Sequence, residues 1–406
     1  MLEGPIAQQI MTAGIFAMVT LGGALVVGVV ASWLRIPYVL ALLIAALPLH
    51  SAHIGTSFSA VLLLLLVPAL VFEAAWNTHI SVLLRVWKPL LMLIVPGVLL
   101  STFAVAWGLT LTHELPFEGA LIVGASLAAT DPIAVIALFR QVQVPEELQA
   151  IVEGESLFND GLAVVLYVIA VGVSMGHHGV SWREAGLDLV NVARVAGGGA
   201  LMGFVFAALL ALITVRAQQN SLELQVVATV VAAFGSYLAA ERFNVSGIFA
   251  AVSAGLSMRA FKEYPSEGET ENAVGAFWGV LAFIANALVF AFLGLRIDVA
   301  RLFHHPDLIM LTLAFVIAAR LIAVYAGLPL CGVGRTAGTF GWLHVTALAG
   351  MRGALSLGLA LALPDGIPNR PEIIDAVAGV IVVTLLVQGF SLGPLLKRLH
   401  LQPARI

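Results

Sequence analysis

Residues 154 to 160 read GESLFND and run directly into GLAVVLYVIAVGVSM. Glu155, Ser156, Asn159 and Asp160 are thus set in a stretch apolar enough to cross a bilayer. An ionised Asp at the centre of a membrane helix costs roughly 2.5–3.5 kcal/mol on insertion scales, so such a group points to ion or proton handling. Carboxylate, hydroxyl and amide oxygens are donors for hard cations. On a helix, Ser156 and Asp160 stack on one face, while Glu155 and Asn159 stack on the neighbouring face about 100° round. One stripe can bind an ion while the other ties the helix to its surroundings.

A second constellation is LAATDPIAV, residues 127–135. Pro132 lacks an N–H and disfavours a helical conformation at Asp131. The helix is therefore expected to open near Thr130 and Asp131. Unwound backbone at membrane depth is tolerated only against protein or a water-filled cavity, and it frees carbonyls and the Thr130 hydroxyl as oxygen ligands. A simple proline kink is the plainer reading, and the Asp at the kink argues for a site. A third segment, ALAGMRGALSLGLALALP at 347–364, brackets Arg352 between Gly350 and Gly353 and predicts a second break. Glu73 is a further acid inside an apolar stretch, whereas Glu153 lies near the start of its span and reads as interfacial. Arg320, in FVIAARLIAVY, needs a partner at that depth, and Glu155 is the natural one. That pair reads as architectural rather than chemical.

These residues sit in a chain of 406 residues that is 61% hydrophobic and 10% charged, with a mean hydropathy of +1.04. Soluble domains carry about 25% charged residues, so this composition belongs to an all-α polytopic membrane protein. With about 20 apolar residues needed per crossing, the sequence divides into about thirteen spans. These are 11–34, 37–50, 57–75, 89–112, 116–139, 146–175, 189–215, 221–240, 244–261, 273–295, 306–330, 338–364 and 371–396. The whole of 1–406 reads as one transporter domain with no soluble domain, and the first span as retained rather than as a signal peptide. Interrupted spans at corresponding positions point to an inverted-repeat transporter. The fifth and twelfth correspond if repeats 11–175 and 221–396 flank a linking span, 189–215.

Arg35, Arg85, Lys88, Arg140, Arg216, Arg259, Lys262, Arg335, Lys397, Arg398 and Arg405 flank one side; Arg183, Arg242, Arg296, Arg301 and Arg370 flank the other. The positive-inside bias then places the C-terminus in the cytoplasm and, with an odd span count, the N-terminus outside. GGGA at 197–200 predicts a close helix contact. The single cysteine, Cys331, excludes an intrachain disulfide, and a net charge of -4 gives no reason to expect a nucleic-acid partner. There is no G-x-S-x-G or H-E-x-x-H pattern, so an enzyme is not expected; His344 is the nearest histidine to these acids.

Taken together, ATDP, GESLFND, the Arg in ARLIAVY, GMRGAL and the span count resemble the cation–proton antiporter superfamily, in its NhaP-type and sodium–proton exchanger branch. The resemblance implies a homodimer in a cell (inner) membrane and crossed, partly unwound fifth and twelfth spans. It implies that Asp160 is the ion- and proton-binding carboxylate, and that Asn159 belongs to the same cation- and proton-binding set and marks electroneutral exchange. Thr130 and Ser156 are expected to supply cation oxygens, Asp131 to act through water, and Glu73 to add a carboxylate, so that Na+ sits among Asp160, Thr130, Ser156 and Glu73. Glu155 and Arg320 would form the stabilising ion pair, and Arg352 the arginine at the crossing. The implied activity is exchange of Na+ (or Li+) for H+, with membrane lipid as surroundings and no cofactor beyond the transported ions. A K+/H+ antiporter of the same fold, or a cation channel or uniporter, stands as the alternative.

Overall fold

A bilayer offers no water to bond exposed backbone groups, so a chain this apolar must satisfy its N–H and C=O groups within helices. The computed structural model describes residues 5–34, 36, 38–49, 56–142, 144–176, 182–216, 221–262, 269–335 and 337–399, and every regular element among them is helical. Arg35 and Arg405 lie outside the described residues. Among the described residues eight helices are long and apolar enough to cross a membrane, and five shorter apolar helices accompany them. Their positions follow the apolar stretches read from the sequence, with three differences of detail.

The first two are the expected breaks. The fifth stretch is two helices, Phe117–Ser126 and Ile133–Val142, with 127–132 non-helical between them. The twelfth is Ala337–Ala349 and Ala354–Leu361, with 350–353 non-helical between them. The third was not anticipated. Trp87–Leu111, Leu222–Arg242 and Pro306–Leu330 each contain a π-helical turn, at Leu93–Gly97, Val231–Gly235 and Ala323–Gly327. Two of these turns pack against each other, Gly97 beside Ala323 and Gly327 beside Met92. Pro96 removes a donor within the first of them, which accounts for the irregular ladder there.

Small residues set how closely helices approach. Trp182–Arg216 lies on Gly247–Lys262 so tightly that a Cβ on Gly198 would stand 2.7 Å from Val245 Cγ1, and one on Gly203 would overlap the Ala250 carbonyl. The GGGA segment is therefore a helix–helix contact, as small-residue packing predicts. On the other side of the molecule, Glu269–Arg296 packs on Thr56–Asn77 and Tyr38–Ala46, while Glu146–Ser174 runs beside the broken helices.

Candidate ion-binding site

The two broken helices meet at their breaks. The Asp131 N–H donates to the Met351 carbonyl at 2.8 Å, a bond across the crossing rather than within its own helix. The end of Phe117–Ser126 leaves carbonyls without intrahelical partners, and these carry the negative end of the helix dipole. The Arg352 guanidinium reaches the unwound carbonyls just past this end, donating from Nη1 to the Ala128 carbonyl at 3.0 Å and the Ala129 carbonyl at 3.1 Å. Ser356 Oγ adds a bond to the Ala129 carbonyl at 3.4 Å. The opposite charge serves the opposite end. Asp131 Oδ1 accepts the Ile133 N–H at 3.0 Å, capping Ile133–Val142 at its positive terminus. The Ala354 amide, at the start of the other second half, lies near the same carboxylate. Gly353 makes this approach possible, because a Cβ there would overlap the Asp131 side chain.

Glu146–Ser174 presents its polar stripe to this crossing. Ser156 Oγ donates to the Thr130 carbonyl, and the Thr130 amide lies near the Asp160 carboxylate. Thr130 thus meets residues one turn apart on a single helix. Asp131 faces Asp160 closely enough for the two charges to interact. Asp160 Oδ1 is buried and has no hydrogen-bond partner. A buried acceptor left unpaired costs about 1–3 kcal/mol, so this oxygen is available to something that arrives.

It has a space to arrive in. A cavity of about 360 Å³ is lined by Thr130, Asp131, Ser156, Asp160 and Glu73 among others. Glu73 accepts a bond from Asn77 Nδ2 at 2.6 Å. Carboxylate, hydroxyl and carbonyl oxygens converge here, a donor set for a hard cation. Among the described residues no group of three or more His, Cys, Asp or Glu side chains is arranged for a metal ion. The oxygen set at Asp160 is therefore mixed rather than an all-carboxylate cluster.

The neighbouring stripe is occupied differently. Glu155 is 2% exposed, and its two oxygens accept from Arg320, Oε1 from Nη1 and Oε2 from Nη2, the latter at 2.9 Å. Arg320 Nη2 also donates to the Thr346 carbonyl at 2.7 Å, tying Pro306–Leu330 to the first half of the second broken helix. Asn159 departs from the expected ligand set. It is absent from the cavity lining, and its Nδ2 donates to Glu155 Oε1 at 3.3 Å. The physical reason is the helical period, which carries Asn159 to the Glu155 face and away from Asp160.

Three cavity residues were not anticipated from the sequence. Glu153 lines the same space and accepts from Gln149 Nε2 at 2.7 Å. Seven residues from Asp160, it belongs to the Ser156–Asp160 stripe, a signal that its position near the helix start concealed. Tyr38 and Asn286 also line the cavity, from helices distant in sequence. A second cavity of about 610 Å³ is lined by Arg194, Tyr237, Glu241 and Asn244. Val67 and Leu355 line both cavities.

A family model described as "Sodium/hydrogen exchanger, transmembrane" matches residues 19–398. The Na(+)/H(+) antiporter ApNhaP of Aphanothece halophytica is 35% identical over 389 residues, covering 94% of this chain and 73% of that relative. The low-affinity Na(+)/H(+) antiporter NhaS1 of Synechocystis is 33% identical over 385 residues, covering 92% of this chain and 72% of that protein. The solved structure of the sodium proton antiporter MjNhaP1 from Methanocaldococcus jannaschii superposes with a TM-score of 0.79 at 21% identity, over 96% of this chain and 99% of that one. The fold is thus that of MjNhaP1, and this integral membrane protein belongs to the sodium/hydrogen exchanger family.

Proposed function

We propose that the chain exchanges Na+ (or Li+) for H+ across a cell membrane, one for one and electroneutrally, with both ions competing for Asp160. One observation carries the reading: Asp160, which has a buried carboxylate oxygen without a partner, lines a cavity at the crossing of two broken helices. The neighbouring charges are committed, Asp131 to the Ile133 amide, Arg352 to carbonyls, and Glu155 and Arg320 to each other. Relatives at 31–35% identity are named Na(+)/H(+) antiporters, which supports the choice of ions.

Competition at one carboxylate gives coupling without further machinery. Moving a bare carboxylate through a closed, water-excluded state costs several kcal/mol or more. Neutralised by Na+ or by H+, Asp160 makes the passage, and the empty carrier does not. One positive charge moves each way per cycle. Thr130, Ser156 and Glu73 complete the oxygen set around the metal ion, Asp131 acts through water, and Asn159 holds Glu155 beside the site.

The two cavities fit alternating access. Val67 and Leu355 form the shared wall between the Asp160 cavity and the second one. In our reading the first opens to the cytoplasm, the side assigned by the Lys and Arg bias, and the second is the outer half of the path. The inverted repeats and the homodimer belong to the same proposal. The test is a pH-gradient assay in proteoliposomes with Li+, Na+ and K+, with and without an imposed membrane potential. Na+-driven proton flux insensitive to potential, and lost in Asp160→Asn, is the expected result. Potential-sensitive flux would refute electroneutrality, and sustained exchange by Asp160→Asn would remove Asp160 from its role.

A further inference from the structure

Asn286 lies in Glu269–Arg296, on a different wall of the cavity from the broken helices and from Glu146–Ser174. It is 8% exposed, its side chain lines the same space as Asp160, and its Oδ1 is buried with no hydrogen-bond partner. The surrounding run, IANALVF, is otherwise apolar. A carboxamide oxygen left unpaired there is a standing cost unless something occupies it intermittently. A second group repeats the pattern. The Tyr38 hydroxyl is buried without a partner on the same cavity, and its ring stacks on Phe283 with centroids 4.6 Å apart, one turn from Asn286 on the same helix. Asn286 and Tyr38, from two helices, thus line a cavity that Asp160 also lines, and each of the three has a buried oxygen without a hydrogen-bond partner.

We propose that Asn286, with Tyr38 beside it, is a cation-selective ligand on the wall facing the broken helices, coordinating a partly dehydrated monovalent cation on its way to and from Asp160. Amide and hydroxyl oxygens bind hard cations but do not take up a further proton near neutral pH. They therefore strengthen the metal ion's side of the competition at Asp160 and leave the proton's side unchanged. Because they lie on packed helices rather than on the breaks, they form a fixed station past which the ion is handed.

The inference rests on the exchange reading, and its test is chosen to separate the two. In proteoliposomes, Asn286→Ala should raise the Na+ concentration for half-maximal exchange about tenfold, equivalent to about 1.4 kcal/mol. The maximal rate at saturating Na+ should change far less. Tyr38→Phe should raise half-saturation by a smaller factor. Asn286→Asp keeps an oxygen at this place and should bind Na+ at least as well as the parent, which guards against a variant that fails to fold. Na+-dependent thermal stabilisation of the purified protein in detergent should weaken in parallel. Unchanged half-saturation in a folded Asn286→Ala protein overturns the proposal, as does a fall in maximal rate alone or an Asn286→Asp variant as weak as the alanine. If Asp160→Asn still exchanges, the reading beneath it fails instead.

Discussion

The Arg352 guanidinium of one broken helix donates to the Ala128 and Ala129 carbonyls of the other, at 3.0 and 3.1 Å, and is 3% exposed. A full positive charge thus meets the negative end of a half-helix at the crossing, and the unwound backbone beside Thr130 and Asp131 depends on it. Arg352→Gln should leave carbonyls short of donors, at about 1–3 kcal/mol for each left unpaired. We expect a clear loss of thermal stability in detergent and loss of exchange. Arg352→Lys, which keeps the charge but not the planar fork, should fall between the two. A stable and fully active glutamine variant would show that the crossing stands without this contact.

Glu155 and Arg320 should behave as a unit. Removing one member of a buried pair leaves an uncompensated charge and typically costs about 3–5 kcal/mol, whereas replacing both with apolar groups is often tolerated. Glu155→Ala should sharply reduce folded yield. The double replacement Glu155→Leu with Arg320→Met should recover much of it, as read by size-exclusion chromatography and thermal unfolding. Normal yield for Glu155→Ala with no transport would move Glu155 from architecture to ion binding.

Gly353 gives a steric test. A Cβ there would overlap the Asp131 side chain, while one on Gly366 would meet nothing within 4 Å. Gly353→Ala must displace Asp131 from the Ile133 amide, a strain of about 1–3 kcal/mol by overpacking. Exchange should drop severely in this variant and remain at the parent level in Gly366→Ala. Equal activity in the two would show that the approach of the breaks is not needed for turnover.

These contacts show which parts of the architecture were legible in the sequence. Helical period alone separates Ser156 and Asp160 from Glu155 and Asn159, and the structure sends the two pairs to the cavity and to Arg320 respectively. Pro132 and the glycines around Arg352 marked both breaks, because each removes a backbone restraint that a continuous helix requires. Asn159 was assigned to the ligand set against the evidence of its own stripe. Glu153 was missed because its place near the helix start suggested water, although its spacing from Asp160 put it on the cavity side. Asn286 and Tyr38 carry no charge, and their relation to Asp160 exists only once distant helices pack together. The π turns at Leu93–Gly97 and Ala323–Gly327 leave no mark in an apolar run beyond Pro96.

Shared occupancy of one carboxylate fixes the sign of the pH dependence. Lowering pH adds protons to Asp160, so the Na+ concentration for half-maximal exchange should rise, approaching about tenfold per pH unit once the proton-bound form dominates. At alkaline pH it should level off, with Na+ affinity then independent of proton concentration. Initial rates across a Na+ and pH grid, with equal pH on both sides, check this. A half-saturation value constant with pH would require separate sites for the two ions.

The most direct measurement is proton release on Na+ addition to purified protein in weakly buffered detergent solution. If one carboxylate serves both ions, binding Na+ at a pH where Asp160 is protonated must expel about one proton per ion bound, and Asp160→Asn must expel none. Na+ binding without proton release from the parent protein, or equal release from the variant, would contradict the account.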